Sequence, residues 1–168
     1  MAESVRSPSS GAEGALPLGW TTAEILARVP HAPPFRFVDE VLEVSAERAR
    51  GSYRFRIDEA FYAGHFPKSP VTPGVILIET MCQTAMLPLG LYLLSLEPAM
   101  HAEARARAVL TDVEAEFYRP VLPGETVIGE ATKVFWRGRK LRAALELRSS
   151  AGELLAAGHA GAIGVLET

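Results

Sequence analysis

A run of 22 residues, Val75 to Leu96, carries a single charge, Glu79. No other feature restricts the fold as strongly. A helix that is apolar on all sides must be surrounded, either by protein or by lipid. Eighteen or more such residues are long enough for a membrane span. Here, however, Glu79, Gln83 and Pro88 interrupt the run, and no Lys or Arg lies between Lys68 and Arg105 to orient it in a bilayer. The segment therefore reads as the buried core helix of a globular domain, with no membrane span.

The entry to this helix carries the candidate chemistry. Thr72-Pro73-Gly74 predicts a helix start, with Thr72 as N-cap and Pro73 at the first helical position. The N–H groups of Gly74 and Val75 then have no partner inside the helix. They lie at the positive end of the helix dipole, a setting suited to an anion or a developing oxyanion. Gly74 lets a ligand approach the backbone closely. Gln83 follows Glu79 at i+4, so an amide and a carboxyl group share one face. A lone carboxyl in oily surroundings must be partnered or stay neutral. His65, in the Gly64-His65-Phe66-Pro67 turn upstream, is the candidate base, since imidazole titrates at about 6.5. Each residue alone would more often be structural; the free helix start between them makes a candidate site.

The 168 residues suffice for one domain with a sizeable core. A net charge of −3 gives no sign of a nucleic-acid-binding surface. The single cysteine, Cys82, permits no internal disulfide and fits a reducing, cytoplasmic compartment; its place in the oily helix suggests an apolar role. Residues 1–18 are rich in Ser, Ala, Gly and Glu and read as a flexible tail. They contain no apolar run of a secretory signal, and Glu3 and Glu13 argue against a transit peptide. The domain is expected over residues 19–168.

Thr21-Thr22-Ala23-Glu24 predicts a capped short helix ending by Pro30. Strands are expected at Phe35–Val44 and Arg48–Ile57, with one helical turn at Asp58–Tyr62. Four more strands are expected at Ala106–Tyr118, Thr126–Trp136, Leu141–Ser149 and Leu154–Val165. The turns between the last four fall at Leu122-Pro123-Gly124, Arg137-Gly138 and Ser150-Ala151-Gly152. Strands, one long helix, then strands predict an α+β domain in which an antiparallel sheet wraps the helix. No two of His31, His65, His101 and His159 are three or four apart, so no metal site is expected. Gly158, Gly161 and Gly164 lack the strand-to-helix context of a phosphate loop. Lys133, Arg137, Arg139, Lys140 and Arg142 fall in ten residues without an acid. This is either a solvated hairpin or a docking patch for an acidic partner.

Three stretches, VPHAPPFRFVDEV, GHFPKSPVTPGVILIETMCQ and FYRPVLPGE, resemble in order the motifs of 3-hydroxyacyl-[acyl-carrier-protein] dehydratases of the FabZ type. The resemblance covers residues 24 to 165. It implies a hot-dog fold, with the long helix inside a curved antiparallel sheet. It also implies a homodimer, alone or within a larger oligomer, with two active sites at the interface. His65 would come from one subunit and Glu79 from the other. The implied reaction is loss of water from a (3R)-3-hydroxyacyl thioester to give the trans-2-enoyl thioester. Gly74 and Val75, with Phe66 and Gln83, would bind the substrate, and Arg137, Arg139 and Lys140 would dock the acyl carrier protein. No metal or redox cofactor is implied, the phosphopantetheine arm being part of the carrier. Lys68-Ser69, Thr72 and Cys82 depart from the usual pattern and bear on acyl preference. The rival readings are a hot-dog thioesterase and a non-catalytic acyl-carrier-binding subunit.

Overall fold

The computed structural model describes residues 19–97 and 106–166. The expected tail, residues 1–18, and His101 lie outside the described residues. Helix α1 (Thr22–Arg28) opens with the anticipated capping box: the Thr21 hydroxyl accepts from the Glu24 N–H, and the Glu24 carboxylate accepts from the Thr21 N–H. Strands β1 (Glu40–Val44) and β2 (Arg48–Arg54) follow, then a 3₁₀ turn at Ala60–Ala63. A continuous helical run of 22 residues, Gly74–Ser95, comes next. It consists of α2 (Gly74–Met81), a π-helical turn (Cys82–Met86) and α3 (Leu87–Ser95). Strands β3 (Ala106–Phe117), β4 (Thr126–Arg137), β5 (Lys140–Ser149) and β6 (Leu154–Leu166) complete the chain. All six strands form one antiparallel sheet in the order β1-β2-β4-β5-β6-β3.

The helix is enclosed on two sides. Strand β5 alternates buried and half-buried residues along its whole length, as a half-buried strand must. Its inward Leu141, Ala143, Leu145 and Leu147 join Leu77, Met81, Ala85, Leu89 and Leu93 of the helical run in the main core. The opposite side packs Leu87, Leu91 and Leu94 against Ile25 of α1, Val29 just after it, Val38, and Val41 of β1. The apolar run is thus the core of the domain.

The sheet approaches the helix most closely at Thr84, in the π turn. Gly51 of β2 and Gly129 of β4 face each other in register. A methyl group on Gly129 would overlap the Thr84 hydroxyl, and one on Gly51 would overlap the Thr84 carbonyl oxygen. The wide turn has a sequence cause. Pro88 has no N–H and so cannot complete the α pattern to Thr84, and the Leu87 N–H bonds back to the Cys82 carbonyl instead.

Some local expectations change. Phe35–Asp39 is not strand; β1 starts only at Glu40. The reason is that the Gln83 amide takes up the Phe35 carbonyl and the Phe37 N–H, which a strand ladder would otherwise use. Thr72 does not cap the helix. Pro73 is the N-cap residue, without a side-chain cap, and the Thr72 hydroxyl is bonded to the Tyr62 hydroxyl at 2.6 Å. The hairpin between β4 and β5 turns on Gly138 and Arg139, both at positive φ, as a two-residue primed turn requires. The sheet ends in two unequal edges, five-residue β1 and twelve-residue β3. Val109, Leu110, Val113 and Phe117 of β3 are exposed, as are Ile163 and Val165 of the neighbouring β6.

Candidate active site

The turn that carries His65 is closed by its own backbone. The His65 N–H donates to the Phe61 carbonyl, and the Val71 N–H donates to the His65 carbonyl. The ring is fixed as well: Nδ1 lies 2.9 Å from the Val71 carbonyl oxygen. A carbonyl can only accept, so Nδ1 carries the hydrogen and the lone pair of the neutral ring is on Nε2. Phe66 stacks on the imidazole with ring centroids 4.2 Å apart. The backbone then runs to Thr72, whose N–H bonds the Val121 carbonyl, and enters α2 at Gly74.

Among the described residues, none accepts from the Gly74 or Val75 N–H groups; the Pro73 carbonyl takes its bonds from Ile76 and Leu77. The helix start therefore presents two donors, as expected. A methyl group on Gly74 would sit 3.1 Å from the Phe117 ring, a tight contact. Val75 and Phe66 are more than half exposed, and Phe117 nearly so, at the end of β3. An apolar, open surface thus surrounds the histidine and the helix start.

Glu79 lies about 7.5 Å further along the helix, at 1.5 Å per residue from Gly74. Its side chain is 27% exposed and has two partners: Gln83 Nε2 donates to Oε1 at 2.7 Å, and His31 Nε2 lies 3.6 Å from the same oxygen. Gln83 is fully buried. Its carbonyl accepts from the Phe37 N–H, and its two amide hydrogens go to Glu79 and to the Phe35 carbonyl. With both donors committed, Gln83 has none left for a substrate. It positions Glu79 and ties the 31–37 loop to the helix.

Glu79 stands in the wall of a cavity lined by Met86, Leu91, Leu94, Trp136 and Leu141, among others, with Arg107 and Arg139 also in its wall. Cys82 lines it too, and burial pushes its thiol up to about 12, so it is an inert apolar surface at neutral pH. His65 and Phe66 are not in that wall. One chain therefore holds two separate groupings: a histidine beside a free helix start on an open apolar surface, and a carboxyl group in a largely apolar cavity.

The cationic run is more neutral than its sequence suggests. Lys133 pairs with Glu47, Arg139 with Glu97 and Arg142 with Asp112, while Arg137 is exposed at the hairpin. Among the described residues no three His, Cys, Asp or Glu side chains converge.

A long helix wrapped by one antiparallel sheet, with a histidine turn before its start and a carboxyl group on its face, defines a protein of the hot-dog fold. The more specific assignment comes from comparison. Residues 29–145 match the FabA-like domain model, and the chain belongs to that family. It is 38% identical over 119 residues to a 3-hydroxyacyl-[acyl-carrier-protein] dehydratase FabZ of Granulibacter bethesdensis, covering 69% of this chain and 66% of the relative. It is 39% identical over 105 residues to the FabZ of Solibacter usitatus, covering 62% and 60%. The chain thus spans somewhat under two thirds of the length of these two curated relatives. Among solved structures it is similar to a chain of the dehydratase heterocomplex ApeI:P from Xenorhabdus doucetiae, with a TM-score of 0.68 at 14% identity over 87% of this chain and 92% of that one. At that identity the likeness is one of fold.

Proposed function

We propose that this chain dehydrates (3R)-3-hydroxyacyl thioesters on an acyl carrier protein to trans-2-enoyl thioesters, in fatty-acid or polyketide-like biosynthesis. The observation that carries the reading is the pair of complementary half-sites: a base with its lone pair fixed on Nε2, and a carboxyl group in an apolar cavity. His65 Nε2 takes the C2 proton as general base. The Gly74 N–H, with Val75 beside it, faces the thioester oxygen as enolate charge develops. Glu79 gives a proton to the C3 hydroxyl as the C–O bond breaks, and water and the C2=C3 double bond result. The apolar cavity suits the acyl chain. This redox-neutral elimination needs an acid, a base and oxyanion donors, so the reading includes no metal or redox cofactor. The phosphopantetheine arm arrives with the carrier.

The same reading makes the active unit a homodimer. Strand β3 is a long edge with apolar side chains exposed, the kind of edge that pairs with another chain. Pairing two β3 strands would bring the open surface around one subunit's His65 to the cavity mouth at the other's Glu79. The reading places the protein in the cytoplasm, where the lone Cys82 stays reduced.

The test is to incubate the chain with a series of (3R)-3-hydroxyacyl carrier thioesters and follow the acyl group by mass spectrometry. Loss of one water with the thioester intact is expected. Release of free thiol instead would identify a thioesterase, and an unchanged acyl group would identify a binding subunit.

We place carrier docking at the Arg137–Lys140 hairpin, with Arg139 as its base. Rim charges act mainly on association rate and salt dependence. Arg137→Glu with Lys140→Glu is therefore expected to lower kcat/KM for carrier-bound substrate. The loss should fade as salt rises, because the Debye length falls from about 10 Å at 0.1 M to about 3 Å at 1 M. A small thioester without the carrier should react as before; equal loss for both substrates would rule out this docking surface.

A further inference from the structure

His31 has no role in the reaction as derived above. It nevertheless faces the candidate acid inside the cavity, and the structure fixes its loop with care. Arg36 donates to the His31 and Leu26 carbonyls, at 3.3 and 3.2 Å. The buried Gln83 amide anchors Phe35 and Phe37, just downstream, to the same helix face that bears Glu79. The loop and the carboxyl group are therefore held by one side chain. The His31 ring ends with Nε2 3.6 Å from Glu79 Oε1. Its other nitrogen, Nδ1, is buried and has no hydrogen-bond partner among the described residues.

Those two facts decide the tautomer. A proton on Nδ1 would be a buried donor without an acceptor, which is costly. On Nε2 it points at a carboxyl oxygen. The ring itself is neutral near pH 7, because burial lowers its pKa, Glu79 opposes that shift and Arg36 adds to it.

We propose that His31 is a positioning residue for Glu79, donating from Nε2 to the carboxylate that forms when Glu79 gives up its proton. The inference rests on the dehydratase reading. At 3.6 Å the pair is longer than a formed hydrogen bond, and catalytic hydrogen bonds often tighten only in the substrate complex. As the C3–O bond breaks, negative charge passes to Glu79 in apolar surroundings. Two donors then meet it: Gln83 Nε2 from the next helical turn and His31 Nε2 from the loop. Hydrogen bonds to a charged acceptor are about twice as strong as neutral ones. The His31 contact therefore strengthens as the reaction proceeds, and its contribution falls on kcat and not on substrate binding.

The test uses His31→Phe, which keeps a ring without a donor, and His31→Gln, which places an amide N–H near the Nε2 position. His31→Phe is expected to lower kcat about tenfold with KM within about twofold, the pattern of a transition-state contact. His31→Gln should recover most of that loss. In a Glu79→Gln background, His31→Phe should cost nothing further, because the two act as a unit. Independently of activity, two-bond ¹H–¹⁵N spectra of the unaltered protein should assign the Nε2–H tautomer to His31, with His31→Gln identifying its signals. Unchanged kcat in His31→Phe, a loss confined to KM, equal losses in both variants or an Nδ1–H tautomer would each overturn the proposal. If the unaltered chain forms no enoyl thioester, the dehydratase reading fails, while the tautomer measurement still tests the His31–Glu79 contact.

Discussion

His65→Ala and Glu79→Gln are each expected to slow dehydration at least about a hundredfold, the scale of one general acid or base. Neither change should unfold the chain. His65 lies in a surface turn whose backbone bonds run Phe61–His65–Val71 and survive loss of the ring. Glu79 is partly exposed, and glutamine can still accept from Gln83. The two variants make a sharper test together than apart. If the half-sites meet across a subunit interface, a mixed dimer of the two contains one site with His65 and Glu79 both intact and one with neither. Co-refolding should then restore about half the activity of the unaltered dimer per mixed dimer, since two dead chains supply one complete site. Near wild-type rates in either single variant would remove that residue from the chemistry. Inactive mixed dimers, verified as mixed, would place both residues of each site on one chain.

The second large effect is structural. Gly51→Ala should destabilise the domain by about 3 kcal/mol, the upper part of the range for forced overpacking. The added methyl would meet two backbone oxygens, of Thr84 and Glu40, and neither can rotate away. For a chain of this size that is a fall in Tm of about 6–12 °C. Gly129→Ala should cost less, because its methyl meets the Thr84 hydroxyl, a side-chain atom. The two predictions separate in a double variant. Thr84→Ala should relieve Gly129→Ala and leave Gly51→Ala as damaging as before, because the carbonyl remains. Thermal denaturation of the five proteins checks this. A Gly51→Ala melting curve that overlays the unaltered one would mean that the sheet does not approach the helix as described.

Most of the architecture could be read from the chain because period-two and continuous apolar patterns were strong. The four late strands start within a residue of their expected positions, and the apolar run is the central helix. The two departures have a common cause: another side chain engages the polar groups that the local element would have used. Phe35–Asp39 alternates like a strand, but Gln83, 46 residues beyond Phe37, captures its polar groups. Thr72 has the right residue type for a cap, but Tyr62 engages its hydroxyl. In the candidate site, His65, Gly74 and Glu79 stood out because unusual residue types interrupt an apolar context. The sequence points to Gln83 too, but as a substrate contact; its full set of bonds makes it a positioning residue for Glu79. His31 gave no local signal beyond its residue type. The 48 positions between it and Glu79 are bridged only by the folded loop.

The π turn has a geometric consequence for the cavity. Successive residues of an α-helix are rotated by about 100°, at 3.6 residues per turn. In an unbroken helix Leu91 and Leu94 would therefore point about 120° and 60° round from Glu79, away along a spiral. The wide turn at Cys82–Met86 takes back part of that rotation before α3 begins. Glu79, Cys82, Met86, Gly90 and Leu94 can then border a single trough, which would otherwise curl around the helix. Pro88, through the N–H it lacks, sets the angular phase between the end of the trough that holds the carboxyl group and the far end at Leu94.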